Sequence, residues 1–291
     1  MDAIKPSDLV KSLLAAGDAK SRLTPNHLLF RSVLSGALLG FATSLALTAA
    51  TQTNVPLVGA LIFPVGFVMI VLLGLELVTG NFASVMLAGV DRRTTTALIA
   101  RNLGWSFLGN LLGSVLYGSL LYVSLTTAGR EAPTGIALKI IAAAEAKTLG
   151  YAHHETAGLI TVFVKAILCN WMVCLGVVMA FTSTSTIGKI AAMWLPILTF
   201  FGQGFEHSVV NMFLIPTGMM LGARVSFSDW WIWNQIPVTL GNFVGGFFFT
   251  GLFLYWTYRS APSVASTHVS TGVLTTSPTN NVTIAPTAAG L

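Results

Sequence analysis

Six apolar runs, at roughly 30–50, 57–90, 97–125, 157–181, 187–222 and 234–257, take up most of this chain. Each is long enough for the hydrocarbon core of a bilayer, which a helix crosses in about 20 residues. Only 9% of the residues are charged and 54% are hydrophobic, whereas a soluble domain carries about a quarter charged. The chain therefore reads as an all-α integral membrane protein of six transmembrane helices, with the lipid bilayer as its solvent. The second and fifth runs are too long for one straight crossing. A helix of about 34 residues extends about 50 Å, against a core of about 30 Å.

The net charge of +5 is distributed by side. Six crossings put both termini together, with Lys5, Lys11, Lys20, Arg22, Arg31, Arg92, Arg93, Arg101, Lys189 and Arg259. The opposite side holds Arg130, Lys139, Lys147 and Arg224, while Lys165 falls within the fourth run. Loops richer in Lys and Arg stay in the cytoplasm, so both termini are expected there, in a multi-pass protein of the plasma membrane. The basic balance is topological and implies no nucleic-acid partner. The first 29 residues are polar, so no cleavable leader is expected.

The expected organisation is a cytoplasmic segment over 1–29, a transport domain over 30–258 and a disordered cytoplasmic tail over 259–291. Residues 6–23 read as a short amphipathic helix with Ser7 as N-cap. Its Leu9, Leu13 and Leu14 lie either along the inner membrane surface or against the protein's own cytoplasmic face. The tail is rich in Ser, Thr, Pro and Ala and nearly free of charge, a composition that cannot build a core. Residues 127–156 form the longest loop, and its His153, His154 and Glu155 read as solvated rather than metal-binding. Cys169 and Cys174, the two cysteines, read as packing thiols. No metal or cofactor is implied.

The chain repeats. "GLELVTGN" (74–81) and "GFEHSVVN" (204–211) both read G-x-E-x-x-x-x-N, and "GNLLG" (109–113) and "GNFVG" (241–245) follow them in the same order. Three crossings repeated once invert their orientation, because three is odd. The expected plan is two inverted three-helix repeats, with the substrate path near the midplane where the repeats meet. The overlong runs then become broken helices, 57–73 then about 81–90, and 187–202 then about 208–222, with both breaks at the G-x-E motif. Irregular backbone is tolerated at that depth only where protein buries it or water lines it.

Glu76 and Glu206 are the acidic residues inside the apolar runs, and an ionisable group there costs about 2.5–3.5 kcal/mol even on the gentlest scale. Each is expected to accept hydrogen bonds from N–H groups freed at its break, in preference to touching substrate. His207 has no counterpart in the first half, where Leu77 stands. Placed just after a break, it is expected to face the pore as a neutral N–H donor or a proton donor. Thr79 offers a hydroxyl toward the same level. Asn170, Asn110, Asn211 and Asn242 add amides, which either meet an anion or join helices, and Asn81 is the first-half equivalent of Asn211.

"GLELVTGN", "KAILCNWMVCLGVVMA" and "GFEHSVVNMFLIPTGM" together resemble the formate/nitrite transporter family over about residues 30–258. The resemblance implies a homopentamer of protomers with an aquaporin-like fold, each passing small monovalent anions, with proton coupling. It places His207 at the pore centre, Thr79 in the loop breaking the second crossing, and Asn170 and Glu206 beside them. Apolar constrictions are implied at Phe63, Phe67, Val78, Val173 and Phe200. Lys147 matches a family lysine, although about seven additional residues, "GYAHHET", separate it from the fourth-crossing motif. That insertion and the tail look like those of fungal-type nitrite-uptake members, so nitrite is expected ahead of formate, hydrosulfide or other short carboxylates.

An aquaporin-type neutral-solute pore would carry paired N-P-A motifs, and a membrane enzyme a convergent set of nucleophile, metal or cofactor ligands. The sequence has neither, so no enzyme activity is expected. The Asn281-Val-Thr glycosylation motif lies in the tail. With the tail in the cytoplasm, Asn281 stays unmodified on expression in a glycosylating host. A glycosidase-sensitive mass shift at Asn281 would overturn the topology.

Overall fold

A computed structural model of the chain describes residues 3–258. The expectations for the tail, Asn281 included, lie outside the described residues. Apart from one isolated bridge between Ala3 and Ser183, the regular structure among the described residues is helical. The chain is an all-α membrane protein. Among the described residues four helices are long and apolar enough to cross a bilayer: α2 (Pro25–Thr53), α6 (Thr96–Leu125), α9 (Glu155–Ala180) and α12 (Phe227–Tyr258). Their starts follow local chemistry. The hydroxyls of Thr24, Thr95 and Ser185 accept from the N–H groups of His27, Leu98 and Gly188 at the first turns of α2, α6 and α10 (Thr186–Gly202). Ser226 and Asp229 form a reciprocal capping box at the head of α12.

The two overlong runs are divided. The first becomes α3 (Pro56–Ile62), α4 (Pro64–Leu72) and α5 (Val78–Val90), and the second becomes α10 and α11 (Ser208–Leu221). Gly74 and Gly204 lead each break with φ of 63° and 65°, a left-handed turn that costs glycine little. The second break falls at the expected residues. After the first, helix resumes at Val78 rather than near 81, because the Asn110 side chain captures the Val78 N–H at 2.9 Å. Within α12, two π-helical stretches, Trp231–Gln235 and Gly245–Leu252, were not foreseen.

Glycines set the helix spacing. A Cβ on Gly113 would collide with the Val33 carbonyl on α2, and one on Gly245 with the Ile167 carbonyl on α9. Gly109 and Gly241, one turn earlier, also lie close against the same two helices. Small residues of this kind let backbones approach within a membrane, where water does not press helices together. Large apolar side chains at Leu112, Leu116, Leu120 and Val123 stay exposed along α6, as a lipid- or subunit-facing surface requires.

Two expectations are corrected. The segment over 127–156 is not a loop: it holds α7 (Ile136–Lys147) and α8 (Leu149–Ala152). Ala137, Ile140 and Ala144 on one face of α7 are fully buried, the first two in a cluster with Tyr117, Phe213 and Leu221. Small side chains on that face leave a weak apolar signal, which the neighbouring charges mask. Ser7 does not cap the N-terminal helix α1 (Pro6–Ser21); Lys5 stands at the cap and Pro6 opens the helix. Proline suits the first position because its φ is preset and its missing N–H would be unpaired there anyway. Leu13 and Leu14 pack with Leu87, Leu252 and Tyr255, and Leu9 against them, so α1 lies on the protein's own surface. His153 and His154 are exposed, and Cys169 and Cys174 are buried free thiols.

The glycine contacts carry a prediction. Gly245→Val must push main chain against main chain, and overpacking of this kind costs about 1–3 kcal/mol or more. Thermal unfolding in detergent is expected to fall by several degrees for Gly245→Val. It should stay near wild type for Gly104→Ala, where a Cβ meets open space. Equal midpoints for the two variants would contradict this account.

Candidate functional site

Each break leaves a helix-starting N–H and a carbonyl without helical partners. In the first, Asn110 on α6 accepts from Val78 N (2.9 Å) through Oδ1, while its Nδ2 donates to Glu76 O (3.0 Å) and to Ser32 O on α2 (2.9 Å). In the second, Asn242 on α12 accepts from Ser208 N (2.8 Å) and donates to Glu206 O (2.9 Å) and Ala166 O on α9 (2.8 Å). The freed N–H groups at Val78 and Ser208 therefore go to asparagine amides and not, as expected, to the glutamate side chains. An amide accepts and donates at once and so spans the break; a carboxylate only accepts.

The glutamates have different partners. Glu76 Oε2 accepts from Asn81 Nδ2 (2.8 Å), and its Oε1 lies 3.2 Å from Lys20 Nζ. Glu206 Oε2 accepts from Asn211 Nδ2 (2.8 Å) and lies 2.9 Å from Lys147 Nζ. Both carboxylates are nearly sealed, 1% and 2% exposed. Asn102 and Asn234 close the two networks. Each accepts from Asn81 or Asn211 (2.9 and 2.8 Å) and donates to the carbonyl of Lys20 or Lys147 (3.0 and 2.8 Å). Desolvating a carboxylate costs several kcal/mol unless an opposite charge and further hydrogen bonds compensate, and each network supplies both.

Lys20, Asn102 and Asn234 were missed in the sequence. The signal was there: "DAKS" (18–21) matches "EAKT" (145–148), and Asn102 and Asn234 each stand eight residues before the asparagine of their G-N-x-x-G motif.

His207 caps α11. Its Nδ1 accepts from Val210 N (3.2 Å), so the neutral ring carries its proton on Nε2. Nε2 lies 3.0 Å from the Thr79 hydroxyl and donates to it. The pair is buried, with the Phe200 ring stacked on the imidazole at 5.8 Å between centroids. Thr79 is fixed from behind, since its carbonyl accepts from Asn170 Nδ2 (3.0 Å) and from Cys174 Sγ (3.3 Å). Asn170 also donates to Asn242 O (2.6 Å). Its amide thus positions Thr79 instead of turning free donors to the path, while its Oδ1 is buried without a partner.

Phe63, Phe67, Val78, Val173 and Phe200 all belong to one buried cluster. Phe63 stacks on Phe201 at 3.9 Å and meets Phe200 edge-on at 5.7 Å. Two cavities open beside the breaks. One, of about 310 Å³, includes Phe67, Gly74, Leu77, Lys20 and Lys189 in its wall. The other, of about 710 Å³, includes Lys147, Tyr151, His154, Lys165, Gly204 and Glu206. Neither wall includes His207 or Thr79. Of the expected site residues, the structure joins His207, Thr79, Asn170 and Phe200 in one place and Glu206 with Lys147 in another. Tyr151, in the "GYAHHET" segment, was not anticipated; its hydroxyl donates to Glu206 Oε1 at 2.8 Å.

The model of the formate/nitrite transporter family matches residues 7–256. The chain is 36% identical to a probable formate transporter of Methanothermobacter thermautotrophicus, over 87% of this chain and 96% of that protein. Among solved structures, an FNT family ion channel superposes with a TM-score of 0.75 at 29% identity, covering 86% of this chain and 98% of the other. A structure titled "Pentameric formate channel with formate bound" superposes with a TM-score of 0.64 at 27% identity, covering 81% and 97%. The repeated asparagine bridges, the buried histidine and this similarity over nearly the whole length lead to one assignment: the chain belongs to the formate/nitrite transporter family.

Proposed function

We propose that this protein passes small monovalent weak-acid anions across the plasma membrane, coupled to protons, through a path whose centre is the His207–Thr79 pair. The observation that carries the reading is that pair: an imidazole N–H and a hydroxyl, 3.0 Å apart, buried beneath Phe200 where the two breaks meet. The domain over 30–258 would do this as two inverted repeats in an aquaporin-like arrangement. Residues 1–29 and 259–291 would lie in the cytoplasm, and the assembly would be a pentamer like the solved formate channel.

In this reading an anion reaches the phenylalanine layer from either cavity and must shed water there, at a cost that falls steeply once it is protonated. His207 Nε2–H and the Thr79 hydroxyl then exchange their mutual hydrogen bond for bonds to the substrate's oxygens. Formate is the substrate we put first, because several relatives, the Methanothermobacter protein among them, are named for formate alone. Nitrite, expected from the inserted segment and the tail, is the second reading; its size, charge and weak acidity fit the same pair. Glu76 and Glu206, paired and nearly sealed, brace the helices after the breaks through Asn81 and Asn211 and do not meet the substrate at the histidine pair.

Proteoliposome flux of formate, nitrite, lactate and glycerol, with and without a pH gradient, tests this directly. Formate influx is expected to rise when the outside is made more acid, and glycerol to stay at background. His207→Phe should cut formate flux at least tenfold with the oligomer intact; full, pH-independent flux in that variant would sink the proposal. Lys20→Met and Lys147→Met should each destabilise the protein, since each strands a buried carboxylate. Breaking a fully buried pair costs about 3–5 kcal/mol, but these lysine side chains are 29% and 22% exposed, so water will offset part. Unfolding midpoints matching wild type would show that the pairs do not brace those helices.

A further inference from the structure

The larger cavity holds a cation that no carboxylate answers. Lys147 and Glu206 cancel as an ion pair at 2.9 Å. Lys165, on α9, lines the same cavity, yet among the described residues no carboxylate lies within ion-pairing distance of its Nζ. The ammonium instead sits over the ring of Tyr151, 5.7 Å from its centroid, a cation–π distance. Tyr151 is itself held, because its hydroxyl donates to Glu206 Oε1. The main chain is fixed as well: the Lys165 carbonyl accepts from Glu206 N at 3.4 Å. Of the Lys and Glu side chains in this wall, which His154 also lines, Lys147 and Glu206 cancel and the positive charge of Lys165 remains.

The other half has a basic residue at the matching place. Ser32 and Ala166 are equivalent, since their carbonyls accept from Asn110 and Asn242, so the residues before them, Arg31 and Lys165, are equivalent too. Arg31 is exposed and donates to the Gly74 carbonyl (3.3 Å). Among the described residues no hydrogen bond engages the Lys165 ammonium, and an ammonium offers three donors and no acceptor.

We propose that Lys165, steadied by the ring of Tyr151, is the residue that captures substrate anions on this side, and that Lys147 serves as counter-ion to Glu206. The inference rests on the proposed passage of small carboxylate-like anions. It gives the "GYAHHET" insertion a role: the insertion brings Tyr151 under the ammonium and closes the remaining oxygen of Glu206. Lys165 acts before the phenylalanine layer, so it governs how often an anion arrives and leaves the step at His207 untouched.

The test is initial formate uptake at neutral pH by cells expressing the full chain and lacking other formate carriers. Lys165→Gln is expected to raise the apparent KM about fivefold, the occupancy one unit charge adds at contact distance in water, with the maximal rate within twofold of wild type. The rise in KM between low salt and about 0.15 M should flatten, because screening acts on the charge that has been removed. Lys165→Arg should restore both KM and its salt dependence. A purely structural role for Lys165 predicts a lower maximal rate with an unchanged salt response, and that outcome overturns the proposal. So does Lys165→Gln with wild-type KM. If the wild-type chain moves neither formate nor nitrite, the proposed function fails first, which separates the two conclusions.

Discussion

At each break a freed main-chain N–H and a freed carbonyl stand close together, and one asparagine from a neighbouring helix joins them. Asn110 does this across Leu77, between Glu76 O and Val78 N, and Asn242 does it across His207, between Glu206 O and Ser208 N. Left unmet in hydrocarbon, such groups cost several kcal/mol each. The asparagines reach both ends only because glycines on their own helices bring α6 against α2 and α12 against α9. The third bond of each amide, to Ser32 O or Ala166 O, fixes that approach. Close helix packing and an interrupted helix are therefore one device: without the first, the second is too costly to keep.

Because the frame is built twice, its departures from symmetry are informative. His207 stands where the first half has Leu77, and Thr79 where the second half has Val209. Each half thus gives one polar and one apolar residue to the meeting point, and the hydrogen-bonded pair forms once, not twice. The carboxylates differ in the same sense. Glu76 is answered by Lys20 and Asn81, and Glu206 by Lys147, Asn211 and also Tyr151.

The breaks could be read from the sequence because glycine followed by glutamate inside an apolar run breaks two rules at once, and the histidine's placement followed. The partners of those glutamates could not be read the same way. Lys20 and Lys147 lie outside the apolar runs, on helices α1 and α7, and only folding brings them to Glu76 and Glu206. Asn102 and Asn234 lie within the runs, and their eight-residue spacing from Asn110 and Asn242 gains meaning only from their contacts with Asn81 and Asn211. Asn170 shows the same limit. A buried amide in an apolar helix can meet an anion or join helices, and here its donors go to Thr79 O and Asn242 O. Sequence shows that a polar side chain is out of place; it does not show in which direction that side chain is needed.

The hydrogen bonding at His207 bears on what the proposed path would select. With Nδ1 engaged by Val210 N, the neutral imidazole presents a donor at Nε2 and no free acceptor, and Thr79 can turn its hydroxyl either way. Such a pair suits a solute with an oxygen acceptor. The surrounding wall of Phe63, Phe200 and Phe201 offers no donors to replace lost water, and Lys147, on the Glu206 side, is spent on its carboxylate. A permanently charged ion would have to cross that layer with its charge uncompensated, whereas a weak acid can shed its charge by accepting a proton. The layer would then discriminate by proton affinity ahead of size, favouring small weak acids over the anions of strong acids of similar radius. Formate and nitrite both satisfy that criterion, so on this reading the choice between them would fall to contacts outside the histidine pair, such as those in the two cavities.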